Sequence, residues 1–330
     1  MKDDYLFDPD ATPDPEIVRL ERALEKFRHG AERTPSSSPS PPPRRHPLRW
    51  LSSVAVAAAV VVAAFLWLDH GSSTIDSPYR LDTASVGTRV WTKDGREREV
   101  REGVLAGDRI EIDENARARL SIGSIGSVVL EANSSVRVED RGTSALDSSP
   151  AFGLFLERGT VAASIFAAPR VFQVGTPAGI AVDLGCIYKT TVTDDGRTWL
   201  SVVSGFVSFE TKQRHVLVPA GAECEALPGT GPLTPTWQDA PHDYKDAIRR
   251  IDLESPVPED ALAALHAQTD RHATLTLWHL LTHAERTVRK TALDVLVSAG
   301  HVPDSIGLDR LMDGDADALL ALRESFDWGP

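Results

Sequence analysis

From Trp50 to Leu68 the chain runs for 19 residues without a charged side chain, WLSSVAVAAAVVVAAFLWL. A helix of that length measures ~28 Å at about 1.5 Å per residue, close to the ~30 Å hydrocarbon core of a bilayer. Trp50 and Trp67 stand near its two ends, where amphipathic rings favour the headgroup level. A buried soluble helix is the alternative, because alanine is only weakly apolar, but such helices rarely run this far without a polar face. A cleaved signal peptide fits poorly: 49 residues precede the run and no Ala-x-Ala pattern follows Leu68. The stretch therefore reads as one transmembrane helix over 50–68.

Its flanks set an orientation. Arg44, Arg45 and Arg49 precede it, whereas Arg80 is the only Lys or Arg soon after, with Asp69 and Asp76 before it. The positive-inside rule puts the N-terminus in the cytoplasm and residues 69–330 outside, in a single-pass inner-membrane arrangement. The chain has 330 residues and a net charge of −13. Residues 1–49 carry equal numbers of basic and acidic side chains, so the acidity belongs to the outer part. That part lacks the basic footprint of a nucleic-acid binder or of a surface for anionic lipid.

Ahead of the span, residues 1–33 hold one amphipathic helix over 14–29, started by Asp14-Pro15, with Ile17, Leu20, Leu24 and Phe27 at helical spacing. A lone helix of ~15 residues is marginal in water, so these four side chains are expected to face a partner. A solvated, inert leader is the alternative. Residues 34–49 form a Pro/Ser-rich spacer that no core can include. After the span, residues 69–84 read as an exposed juxtamembrane linker.

From 85 to 227 the pattern changes to short β-type runs broken by glycine. Asp94-Gly95 and Asp194-Asp195-Gly196 mark hairpins, and Ala118, Leu120 and Ile122 alternate along one face. An apolar residue followed three positions later by glycine recurs around Gly107, Gly159 and Gly221, with a shortened version at Gly205. Glycine at each recurrence predicts a corner where a strand changes direction or sheet. This is the texture of an all-β sandwich or roll. Residues 228–241 form a Pro/Gly-rich join. Helical periodicity then appears at 258–267, 274–282 and 285–298, with a shorter pair near 304–312 and 315–326. Residues 242–330 thus read as a small HEAT-like helical bundle.

In order along the β region stand GVLAGDRIEIDENARARLSI, GSVVLEANSSVRV, LERGTVAASI, FQVGTPAGIAVDLGCIYKTTV, SVVSGFVSF and VLVPAGAECEA. Together they resemble the FecR domain, the extracytoplasmic module of membrane-bound anti-sigma regulators and their relatives. The resemblance gives Gly107, Asp108, Gly159, Thr176, Pro177, Gly179, Gly185, Gly205 and Gly221 the role of family-motif positions. It departs from the family at Gly185-Cys186, where Gly-Thr is usual, at Tyr188, where Phe is usual, and in having a single inner helix. It implies envelope signalling: a cytoplasmic regulator, such as a sigma factor, held through 14–29, and an envelope protein or glycan held by the β domain. The short inner segment weighs against direct sigma-factor capture. An anchored scaffold that binds protein or polysaccharide without transcriptional output is the alternative.

No catalytic, cofactor or metal site is expected. His279 and His283 have ligand spacing, but Leu280 stands where a zincin carries its glutamate, and structural histidines are the better reading. Asp313, Asp315, Asp317 and Glu324 match EF-hand positions, but Ala318 replaces the required glycine. There is no Gly-x-Ser-x-Gly elbow and no phosphate loop, so the chain is not read as an enzyme. Cys186 and Cys224 fall in an exported region where a disulfide can form, worth roughly 4 kcal/mol for a loop of ~38 residues. Two separate buried thiols are the alternative.

Overall fold

Alternating apolar residues bury one face of each strand in turn, and two sheets result. The computed structural model of the chain describes residues 77–99, 103–143, 150–270 and 272–328. The transmembrane assignment at 50–68, the spacer and the helix bearing Ile17, Leu20, Leu24 and Phe27 lie outside the described residues. Among the described residues no helix is long and apolar enough to cross a membrane. These residues are mostly β-sheet with a small C-terminal helical part, and they belong to one compact unit, Ser72–Pro330.

The strands are β1 Tyr79–Ala84, β2 Thr88–Trp91, β3 Glu97–Arg98, β4 Arg109–Ile112, β5 Ala118–Ile122, β6 Gly126–Leu130, β7 Ser135–Thr143, β8 Pro150–Ile165, β9 Phe172–Thr176, β10 Gly179–Asp183, β11 Ile187–Val192, β12 Thr198–Ser204, β13 Phe206–Glu210, β14 His215–Pro219, β15 Ala222–Leu227, β16 Gly231–Pro232 and β17 Thr236–Trp237. One sheet runs β3-β2-β4-β7-β8-β9-β10-β13-β14. The other runs β1-β5-β6-β8-β11-β12-β15, with β16 and β17 both paired to β15. Strand β8 belongs to both. Its first half pairs with β7 and β9, and Gly159–Ile165 pairs with β6 and β11.

The crossing point is Gly159, at φ +87°, where a β-carbon would lie 2.5 Å from Ser134 Cα. Only glycine fits both that dihedral and that approach. The same device recurs at Gly205, between β12 of one sheet and β13 of the other: φ is +75°, and a β-carbon would sit 2.4 Å from the Gly185 carbonyl. Gly185 joins β10 to β11, and Gly221 joins β14 to β15, again between sheets. Gly107 lies instead in the turn before β4, where Asp108 Oδ2 accepts the Leu105 N–H at 2.9 Å and meets Arg98 Nε at 3.2 Å.

Tyr79–Ala84, read from sequence as part of an exposed linker, is a strand. Tyr79 is buried, its hydroxyl accepts the Gly153 N–H, and β1 pairs with β5. The Pro/Gly-rich join over 228–241 likewise contributes β16 and β17 to the edge of β15.

The helices are α1 His242–Leu253, α2 Glu259–Ala264 followed by a 3-10 turn Leu265–Ala267, α3 Ala273–Leu280, α4 Arg286–Ser298, α5 Leu308–Met312 and α6 Ala316–Glu324. They have their own apolar core, built from residues such as Ile248, Leu277, Val288 and Leu296. Leu275 and Trp328, however, are buried in the β core, and Trp278 and Phe326 pack against both. Full burial of such side chains is worth about 1.5–3 kcal/mol each, so apolar contact seats the helices on the sheets.

Candidate functional site

Helix α1 lies beside the outward face of β15. Carboxylates two apart on a strand are ~6.7 Å from one another along it, and cations four apart on a helix are ~6 Å apart along its axis. The two spacings match. Lys245 Nζ meets Glu223 Oε1 at 2.8 Å, and Arg249 Nε meets Glu225 Oε2 at 2.9 Å. Partly exposed pairs of this kind contribute ~1 kcal/mol or less, so they set the helix's register more than its stability. Below them the side chain of Asp252, near the end of α1, is buried. Its Oδ1 meets Arg214 Nη1 at 3.1 Å, and its Oδ2 accepts the Thr234 N–H at 2.5 Å.

Between α1 and the sheet lies a cleft of about 340 Å³. Trp199 on β12, 39% exposed, forms part of its wall and is the cross-strand neighbour of Glu225. His242 and Asp246, with His242 Nδ1 3.6 Å from Asp246 Oδ2, line it from α1. Lys245 and Arg249 are thus each joined to a carboxylate of β15, and the Trp199 indole makes no hydrogen bond among the described residues.

A second junction is made by His279 on α3. The Leu217 N–H on β14 donates to its Nε2 at 3.2 Å, which requires the proton on Nδ1, 2.8 Å from the Leu275 carbonyl. Trp278 meets the ring edge-on and Trp328 stacks on it, at centroid distances of 4.8 and 6.0 Å. Burial lowers its pKa to about 3, against a raising effect of the Leu275 carbonyl, and nearby Arg214 lowers it further. His283 uses Nδ1 to accept the Glu285 N–H, and the His272 carbonyl accepts from Trp237 Nε1. Among the described residues no three His, Cys, Asp or Glu side chains converge as a metal site. Asp315, in the EF-hand-like string, caps α6 by accepting the Ala318 N–H at 2.9 Å and pairs with Arg310.

Of the two readings left open for the cysteines, the structure has the second: Cys186 and Cys224 are separate buried thiols. Cys186 precedes β11 and Cys224 is on β15, with β12 between those strands. Two inter-strand spacings of ~4.8 Å already exceed the ~7 Å Cα separation a disulfide tolerates. Cys186 Sγ donates to Asp183 Oδ2 at 2.8 Å, and Cys224 Sγ to the Leu233 carbonyl at 3.2 Å. Burial pushes both thiols well above their ordinary pKa. Asp183 is raised too, by burial, although bonds from Cys186 and Gly185 oppose the shift.

Thr176, Pro177 and Gly179 make the β9–β10 turn. Thr176 Oγ1 accepts the Ala178 and Gly179 N–H groups at 3.3 and 3.2 Å, and Thr198 Oγ1 donates to it at 3.1 Å. This hydroxyl holds the turn and ties it to β12. The motif positions are therefore spread over turns and sheet crossings, and the structure does not gather them into one site. Sequence reasoning missed Trp199, Glu223, Glu225, Lys245 and Arg249. The available signal was the i, i+2 carboxylate pair on a strand and the i, i+4 cation pair in a polar segment 22 residues on.

No protein-family model matches the chain, and no curated protein sequence matches it. Among solved structures, two crystal structures of a provisionally described anti-sigma factor from Parabacteroides distasonis, at 1.65 and 2.50 Å, are similar over 43% of this chain, with 16% identity and a TM-score of 0.33. The match spans 64% of that protein's length. A TM-score of this size does not establish a shared fold.

Proposed function

We propose that the chain is a single-pass membrane regulator of FecR-like type, with its N-terminus in the cytoplasm and the β and helical parts outside the bacterial inner membrane. Residues 14–29 engage a cytoplasmic regulator, a sigma factor being the first candidate, and the outer unit binds an envelope partner. The observation that carries the reading is the uncharged run over 50–68, between an arginine-flanked leader and an acidic remainder. The FecR-like assignment of the β part is supported by the glycines of its sequence strings, of which Gly159, Gly185, Gly205 and Gly221 stand where the chain passes between sheets.

A lone membrane helix transmits a signal through a change of association or through cleavage. Regulated proteolysis between Gly71 and Pro78 fits the second route. Ser77 bonds to the Val104 carbonyl and Pro78 accepts the Gly123 N–H at 2.6 Å, which favours a cut upstream of Ser77.

The test has two parts. Protease added to intact spheroplasts should degrade the C-terminal part and spare residues 1–49; protection of the C-terminal part refutes the topology. The full-length chain captured from membranes should co-purify a sigma factor. If it brings down none under inducing and non-inducing conditions, the scaffold reading replaces the regulatory one. The exposed Trp199 ring beside a polar cleft is what favours that second reading, an anchored binder of envelope glycan or protein.

A further inference from the structure

We infer that the cleft between α1 and β15 is a binding site for an uncharged, β-1,4-linked oligosaccharide, with Trp199 as its stacking platform. The inference deepens the part of the preceding reading that gives the outer unit an envelope ligand. It is independent of whether a sigma factor is held inside.

The chemistry of the lining selects the class. Lys245 and Arg249 are opposed by Glu223 and Glu225 at 2.8 and 2.9 Å and Asp246 adds a third carboxylate, so an anion meets no net positive charge in the cleft and a cation finds both β15 carboxylates already engaged. The free edge that a peptide would use for strand addition is already taken: β16 and β17 cover β15. A lipid chain or a hydrophobic peptide needs a predominantly apolar groove, whereas Glu223, Glu225, Lys245, Asp246 and Arg249 all line this one.

What remains available is one aromatic face and a dense set of planar polar groups. Arg249 contributes only its Nε to Glu225, and its side chain is 41% exposed, which leaves both Nη groups for a ligand. Carboxylate and guanidinium groups each present two hydrogen-bonding atoms side by side, the spacing of neighbouring hydroxyls on a pyranose ring. In a β-1,4-linked chain of gluco-configured sugars the ring substituents are equatorial, so both ring faces are flat and lined by C–H bonds. Such a face suits an exposed indole.

The volume of about 340 Å³ stands at the lower end of the ~300–1,000 Å³ range of small-ligand sites, which suits a short oligosaccharide rather than a long groove. A polar strip continues the platform across the sheet. Thr191 is the cross-strand neighbour of Trp199, and its Oγ1 is 3.0 Å from Thr160 Oγ1. A further sugar ring would meet these partly exposed hydroxyls.

The full-length chain in lipid nanodiscs, free of sugar-headed detergent, should be titrated with cellotriose and with triacetylchitotriose by calorimetry and saturation-transfer NMR. Maltotriose, whose α-linkages bend the chain, is the comparison. Saturable binding of a β-linked trisaccharide below about 5 mM is expected, with weaker or no binding of maltotriose. Trp199→Thr retains a strand-forming residue at a half-exposed position and should weaken binding by roughly tenfold or more at unchanged melting temperature. Trp199→Phe should retain part of the affinity. Absence of saturable binding to either β-linked sugar overturns the inference, as does unchanged affinity in Trp199→Thr. Because the topology and sigma-factor capture are read out separately, that failure would leave the regulatory reading standing.

Discussion

Replacing His279 by leucine should remove most of the acid sensitivity of the junction between helices and sheet. The ring is 3% exposed and neutral, with Nε2 accepting from Leu217 and Nδ1 facing the Leu275 carbonyl. Protonation would place a second hydrogen between Nε2 and an N–H donor and a charge in a site that water does not reach. The folded-state pKa of about 3 lies below the 6.5 expected of an unfolded chain. The unfolded chain therefore takes up the proton first as pH falls, and the stability that the neutral ring supplies, complete above pH ~6.5, is lost progressively toward pH ~3. At ~1.36 kcal/mol per pH unit the loss amounts to about 3 kcal/mol at pH 4 and up to about 5 kcal/mol in full. Leucine avoids that loss but leaves the Leu217 N–H without an acceptor, at a cost of ~1–3 kcal/mol at every pH. The variant should be the weaker protein at pH 7.5, and the two stability curves should cross between roughly pH 4 and 6. Urea denaturation of the full-length chain in nanodiscs, followed by helical circular dichroism and tryptophan emission from pH 7.5 to 4, measures both curves. Other groups titrate in this range, but they are common to both proteins and cancel in the difference. Parallel curves would show that His279 is not the junction's titrating group.

Gly159→Ala should destabilise the unit by roughly 2–4 kcal/mol, because the added carbon meets the Ser134 backbone at a positive φ; an unchanged melting temperature would refute the account of the sheet crossing. The two thiols should be inert to Ellman's reagent in the folded protein at pH 8 and react fully in denaturant, with no effect of reductant on melting; a lowered melting temperature in reductant would restore the disulfide. Asp183, raised by burial, favours its protonated form in the fold, so its contribution is complete below pH ~3.9 and lost as pH rises through the raised value. Asp183→Asn should therefore lose less stability than the native chain between pH 4 and 7, and identical slopes in urea titrations would contradict this.

How much was legible in the sequence depended on the distance over which each feature is decided. The Asp94-Gly95 and Asp195-Gly196 turns lie between β2 and β3 and between β11 and β12, because a hairpin is written in adjacent residues. The alternation of Ala118, Leu120 and Ile122 correctly marks an inward face. Helix α1 carries no clear helical signal in the sequence. Its segment, HDYKDAIRRIDL, is largely polar, and its apolar positions Tyr244, Ile248 and Ile251 acquire meaning only against a sheet. Strand β1 likewise reads as linker in the sequence, since its burial comes from β5, more than thirty residues away.

Local chemistry in the sequence determined the strands, the turns, the glycine corners and the uncharged run at 50–68, for each depends on a few neighbouring residues and their dihedral limits. Tertiary structure alone decided which strands share a sheet, that Cys186 and Cys224 are kept apart by an intervening strand, and that Trp199, Glu223, Glu225, Lys245 and Arg249 enclose one cleft. The reason is physical. Strand register and helix docking are settled by burial summed over many distant residues, so side chains far apart in sequence become neighbours only once the whole unit has closed.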